Sequence, residues 1–198
     1  MKLFIATGNQ HKIREITKIL DKFGITPLTP AKGELPEVEE TGKDLVENAI
    51  LKAKAGYEFS GIPTIADDTG LEVEYLNGVP GVYSARYAGE GCTYDDNNRK
   101  LLSALEGVPH ENRKARFRTV IALALDSNIV ETVEGTVDGY IIDEKKGENG
   151  FGYDPVFLYP PKGKTFAELE LDEKNKISHR ANALIELEKL LSSGKIKL

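Results

Sequence analysis

Asp67 and Asp68 are adjacent carboxylates that close an apolar run over residues 62–66, and Thr69-Gly70 follows them. A strand that delivers two aspartates to its end presents metal ligands or a general base in many α/β proteins. Two neighbouring anions repel, so a divalent cation, a lysine or a shared proton must offset them; the alternative is a solvated turn. Complementary groups lie elsewhere in the chain. Thr7-Gly8-Asn9-Gln10-His11-Lys12 stands between a short apolar segment and a helix-spaced one. Main-chain N–H groups, a hydroxyl, an amide and an ammonium there suit phosphate oxygens, and Asn9 also reads as a helix cap. The segment is neither a Walker loop nor the three-glycine dinucleotide fingerprint. Lys52 shares a helical side with Leu45, Ala49 and Gly56, from which it can snorkel to solvent or reach an anion at the sheet edge. In Asn149-Gly150-Phe151-Gly152-Tyr153-Asp154-Pro155, the glycines allow close backbone approach, and Phe151 and Tyr153 either stack on a planar ring or fill the core. Ser178-His179-Arg180 opens the last helix. Cations at a helix start cost about 0.3–1 kcal/mol when exposed, so His179 and Arg180 there either hydrogen-bond a ligand or form a tolerated surface pair.

These groups need elements to hold them. The pattern predicts a strand over residues 3–6, a helix over 10–23 closed by Gly24, and a strand over 25–28, a strand-helix-strand opening. Residues 30–40, with Pro30, Pro36, Glu34, Glu37, Glu39 and Glu40, read as an acidic loop. Thr41-Gly42-Lys43-Asp44 caps a helix running to about Phe59, and a strand over 62–66 leads to the aspartates. A second strand follows over 71–75, with a turn at Asn77-Gly78, and Thr93 begins another helix. Residues 116–125 and 129–137 read as a hairpin turning at Asp126-Ser127-Asn128, and Ser178 caps the final helix. The glycine-bounded segment over 81–89, with Tyr83, Arg86 and Tyr87, fits a substrate lid or a subunit contact. The fold class is mixed α/β around a twisted sheet, with an antiparallel hairpin in a second lobe.

Composition narrows the partners. With 198 residues, 40% apolar and 29% charged, the chain suffices for one domain or two lobes sharing a sheet. Its net charge of −6 argues against a nucleic-acid groove or an anionic membrane as main partner, while local lysines can still hold a small anion. A single cysteine, Cys92, excludes an intrachain disulfide. No apolar run approaches transmembrane length, and the first one is too short for a signal peptide, so the cytoplasm is expected.

Taken together, the segments resemble the inosine/xanthosine triphosphate pyrophosphatases. The matching pieces are Ala6-Thr7-Gly8-Asn9-x-x-Lys12, Glu39-Glu40-Thr41-Gly42, Glu47-Asn48-Ala49, Ala66-Asp67-Asp68-Thr69-Gly70-Leu71, Gly81-Val82-Tyr83-Ser84-Ala85-Arg86, Phe151-Gly152-Tyr153-Asp154-Pro155-Val156-Phe157 and Ser178-His179-Arg180. They occur in order along almost the whole chain, and Thr69 stands where the family often has serine. The resemblance implies Mg²⁺-dependent hydrolysis of ITP, dITP and XTP to monophosphate and pyrophosphate, which clears these nucleotides before incorporation into DNA or RNA. It implies an elongated two-lobed α/β structure with an active-site cleft between the lobes, and a homodimer. By the same resemblance Thr7, Gly8, Asn9, Gln10, His11, Lys12, Lys52 and Thr69 hold the triphosphate end. Phe151, Gly152, Tyr153, Asp154, Lys174, His179 and Arg180 hold purine and sugar. Glu39 and Asp68 bind the metal with Asp67 in support, and Asp68 activates the water. A related pyrophosphatase for modified pyrimidine nucleotides and a non-catalytic nucleotide sensor are the rival readings.

Overall fold

The computed structural model describes residues 2–31, 34–35 and 38–196; the side chain of His11, and Pro36 and Glu37 of the acidic loop, lie outside the described residues. The chain opens as expected: β1 (Lys2–Ile5), α1 (Gln10–Lys22) and β2 (Thr26–Leu28), with β1 parallel to β2. Gly24, at φ 64°, closes α1 by turning its N–H back to the Asp21 carbonyl. Next comes α2 (Leu45–Ser60), whose N-cap is Asp44: its Oδ1 accepts from the Glu47 N–H at 2.8 Å. Gly61 ends the helix in the left-handed region, where glycine carries no Cβ penalty.

β3 (Thr64–Val73) corrects the sequence reading in one respect. The aspartates do not end a strand. They lie mid-strand, and the two predicted strands are one ten-residue strand running through Asp67-Asp68-Thr69-Gly70. The reason is burial: every residue from Thr64 to Asp68 is buried, and an extended chain there must satisfy its backbone groups in a ladder, which a turn would not supply. After β3 come short 3₁₀ turns at Glu74–Leu76 and Gly81–Arg86, then α3 (Tyr94–Ala104) with a Thr93–Asp96 capping box. β4 (Lys114–Ala124) and β5 (Val130–Ile141) turn at residues 126–128, where Asp126 Oδ1 accepts from the Asn128 and Ile129 N–H groups. Three elements had no counterpart in the sequence reading: β6 (Phe157–Tyr159), β7 (Lys164–Thr165) and α4 (Leu171–Ile177). Last comes α5 (His179–Ser192).

The seven strands form one mixed sheet in the order β2-β1-β3-β4-β5-β6-β7, parallel from β1 to β2 and β3, antiparallel from β5 through β7. The chain divides into two compact units: Met1–Asp68, Thr119–Gly135 and Asn182–Leu198 form the first, Thr69–Arg118 and Thr136–Ala181 the second. In the first, Leu3, Ile5 and Ile65 pack with Ile16 and Leu20 of α1 and Leu184 and Leu187 of α5. The opposite face of β1 and β3 presents Phe4, Ala6 and Thr64 to α2, as strand alternation requires. In the second unit, Leu71, Leu101, Phe117, Val137, Val156, Phe157 and Phe166 form the core.

Gly56 is where α2 comes closest to the sheet. A Cβ there would lie 2.7 Å from Thr64 Cγ2 and 2.8 Å from Ala6 Cβ, neither of which is the tip of a flexible side chain. Gly56→Val is expected to lower unfolding stability in urea by about 1–3 kcal/mol, and an unchanged midpoint would disprove this close approach.

Candidate active site

Strand alternation sends Asp67 and Asp68 to opposite faces of β3, and each meets its own lysine. Asp67 follows the parity of Ile65, toward α1, and its Oδ2 lies 2.7 Å from Lys12 Nζ. Asp68 follows Thr64, toward α2, and its Oδ1 lies 2.6 Å from Lys52 Nζ. Lys52 also reaches Glu40 Oε1 at 3.2 Å. Both aspartates are buried, at 5% and 8% exposure, so their charges interact in a medium far less screening than water.

Burial pushes the Asp68 carboxyl above the ordinary aspartate range, Glu40 adds to the rise, and Lys52 and Lys12 oppose it. Burial works against the Lys52 ammonium, but Asp68, Glu40 and Asp67 together outweigh it and raise its pKa. Asp68 therefore takes up a proton more readily than an exposed aspartate.

The turn over residues 7–12 is built from its own side chains. Thr7 Oγ1 accepts from the Asn9 N–H at 3.2 Å, and Asn9 Oδ1 accepts from the Lys12 N–H at 3.4 Å, the capping role expected of Asn9. Gly8, Asn9 and Gln10 are exposed. Ala6, Thr7, Gly8, Leu35, Val38, Lys52 and Gly56 line a pocket of about 220 Å³. That is smaller than the roughly 300–1,000 Å³ of sites that enclose a whole ligand. It suits a phosphate portion. Two residues of this half stand in the matched motifs but had no site role in the sequence reading. Glu40, rather than the exposed Glu39, is the carboxylate that meets Lys52. Asn48 is fully buried and accepts the Gly42 N–H on Oδ1 at 2.8 Å, which anchors the Glu39-Glu40-Thr41-Gly42 loop to α2.

The second unit gathers another set. Gly150 and Gly152, at φ 76° and 64°, form a tight turn, and Asp154 Oδ2 accepts the Phe151 N–H at 2.8 Å across it. Lys174 donates to Asp154, and its ammonium lies 5.0 Å from the Phe151 ring centre. Burial raises the Asp154 pKa, against the pull of Lys174 and Arg180. The two aromatics of the turn divide between the two readings of the sequence. Tyr153 is a core residue, its hydroxyl donating to the Ser84 carbonyl at 2.9 Å, while Phe151 stays 43% exposed. Asn98 Nδ2, also unforeseen, donates to the Gly152 carbonyl at 2.8 Å. His179 and Arg180 are buried at the start of α5, and the His179 ring stacks on Phe117 with centroids 4.7 Å apart. Thr69 is half-buried on β3.

The Ham1 family model matches residues 3–190 of this sequence. The chain belongs to the Ham1 family. Among the relatives of this Ham1 chain, the dITP/XTP pyrophosphatase of Thermoanaerobacter sp. (strain X514) is 52% identical over 188 residues, 94% of each chain. The dITP/XTP pyrophosphatase of Bacillus subtilis (strain 168) is 50% identical over 190 residues, 96% of each. The solved structure of a HAM1 protein from Coxiella burnetii superposes with a TM-score of 0.93 at 40% identity, covering 98% of this chain and 100% of that one. The resemblance read from the motifs is thereby borne out, and so is the α/β fold class.

The Lys174–Asp154 pair generates a stability prediction for this Ham1 chain. The two side chains are 9% and 3% exposed, so removing the cation strands a buried carboxylate. Lys174→Ala is expected to cost about 3 kcal/mol at neutral pH. Without its cation the Asp154 pKa lies further above its unfolded value, so the cost is full at neutral pH and shrinks as pH falls through the raised folded-state pKa of Asp154, below which the carboxyl is protonated in both folded proteins. Denaturation curves of both proteins across that range check it; a pH-independent difference would overturn it.

Proposed function

We propose that this chain hydrolyses non-canonical purine nucleoside triphosphates, ITP, dITP and XTP, to the monophosphate and pyrophosphate. The observation that carries the reading is the buried Asp68 carboxylate hydrogen-bonded to Lys52, in a unit whose Lys12 and exposed strand-to-helix turn suit phosphates. The names of the relatives at about half identity support it.

In this reading Thr7, the main-chain N–H groups of residues 8–10, Lys12 and Lys52 hold the phosphate chain and offset its charge. Asp68 removes a proton from the attacking water as the water oxygen bonds to the α-phosphorus. The bond from that phosphorus to the bridging oxygen breaks in line, and pyrophosphate leaves with the electron pair. Phe151 offers a ring face to the purine, and Asp154 and Lys174 brace the turn that carries it. His179 and Arg180 donate to the 6-oxo group of hypoxanthine or xanthine. Adenine presents a 6-amino donor instead, and donor facing donor leaves buried groups unmet, at about 1–3 kcal/mol.

Mg²⁺ fits the donor set. Among the described residues no group of three or more His, Cys, Asp or Glu is arranged to hold a metal alone. Mg²⁺ needs no such cage, since one or two carboxylates and the substrate's phosphates suffice for it. Asp68 and Glu39 would hold it, with Asp67 in support. When bound it would neutralise phosphate oxygens and lower the pKa of water.

No helix among the described residues is long and apolar enough to cross a membrane, and we place the reaction in the cytoplasm. We also propose a homodimer, with residues 79–87 in the contact, where Val79 is 40% and Tyr83 58% exposed.

Turnover of ITP, XTP, GTP and ATP with Mg²⁺, separating pyrophosphate from phosphate, tests the reaction. Pyrophosphate from ITP and XTP at about ten- to a hundredfold the ATP rate is expected; release of single phosphates would sink the reading. Asp68→Asn is expected to lower kcat by about 10²–10⁴-fold with the melting temperature held near that of the parent. Retained turnover would remove Asp68 as base. Arg180→Ala is expected to narrow the gap between ITP and ATP by about tenfold.

A further inference from the structure

His179 is the first residue of α5, so no preceding turn of its own helix confines its side chain. The second torsion of a histidine is broad and roughly two-fold, so the backbone does not fix the plane of the imidazole. Something outside the helix must, because a hydrogen bond weakens steeply once donor and acceptor are misaligned. Phe117 of β4 lies against that ring, centroids 4.7 Å apart and planes 19° apart. Phe117 belongs to a buried cluster of rings. Phe157 packs against it at 4.6 Å and 51°, and Phe166 is parallel to it at 5.9 Å. Phe117 itself is 6% exposed and Phe157 and Phe166 are fully buried.

We propose that Phe117 is a specificity-determining residue that acts through His179: its ring fixes the imidazole plane and so the direction in which His179 donates to the 6-oxo group of the base. Phe117 is a positioning residue, without contact to the reacting atoms. The inference rests on the reading above, in which His179 meets the purine at position 6.

The test compares Phe117→Leu with Phe157→Leu. Both remove one ring from the same buried cluster, but only the first removes the ring stacked on His179. For the parent and each variant, kcat/KM is measured with ITP and with ATP, alongside inhibition by inorganic triphosphate, which probes the first unit without a base, and the melting temperature. Phe117→Leu is expected to lower the ITP-to-ATP ratio by about tenfold or more, the size of one misdirected hydrogen bond, while inhibition by triphosphate stays within about twofold. Phe157→Leu is expected to lower the melting temperature comparably and keep the ratio within about twofold of the parent. Should Phe117→Leu fail to fold, Phe117→Met, closer in volume, serves the same comparison. A ratio that is unchanged in the Phe117 variant, or falls equally in both variants, overturns the proposal. A parent enzyme with no preference for ITP overturns the functional reading itself, a different result, visible before any variant is made.

Discussion

Two carboxylates on consecutive residues of one buried strand would destabilise that strand if they shared a side and a solvent-poor environment. The alternation of a strand keeps Asp67 and Asp68 apart, and each then requires a cation from the helix packed on its own face. Lys12 is the third residue of α1, just after the Thr7-Gly8 corner. Lys52 sits midway along α2, with the small residues Ala49, Ala53 and Gly56 beside it where the helix meets the sheet. The close seat of α2 on Thr64 and Ala6 is what lets a lysine of that helix reach Asp68. The loop bearing Glu39 and Glu40 depends on the same helix, because Asn48 of α2 holds the Gly42 N–H.

The second unit solves a related problem with different means. Its charged pair, Lys174 and Asp154, is surrounded by rings: the ammonium lies 5.0 Å from Phe151 and 5.7 Å from Phe166. The carboxylate closes the Gly150–Gly152 turn from within, and Asn98 closes it from α3. The result is an exposed aromatic, Phe151, on a turn held by Asp154 and Asn98. In the proposed function that ring offers a sequence-tolerant π-face, and the directional contacts that would tell bases apart are assigned to His179 and Arg180.

Local signals were legible in the sequence. Asp44, Thr93 and Ser178 were read as helix starts, and Gly24 as a helix end, because a cap depends on residues within one turn. Asp67, Asp68 and Lys52 were legible because charged residues are rare in apolar surroundings, while Lys174 came only with the family resemblance. The extent of β3 was not, since Asp-Asp-Thr-Gly is turn chemistry by local preference and burial overrides it. The short β6, β7 and α4 were missed for the same reason: they exist through pairing and packing with distant segments. The choice between Glu39 and Glu40 follows from which neighbour faces Lys52, and adjacent glutamates carry no sign of that. Phe117 read only as one apolar residue of a strand, although its neighbour in space is a site residue.

The parity of β3 has an evolutionary consequence. Asp67 and Asp68 are chemically the same residue, and only their odd and even places along the strand assign one to Lys12 and the other to Lys52. A one-residue slip of the strand would turn each aspartate to the face of the other's lysine and, at the same stroke, turn Ile65 out of its core. The pair therefore cannot drift along the strand in single steps. Lineages that carry it are confined to substitutions around a frozen register, so the Asp-Asp pair is inherited with its framework or lost with it.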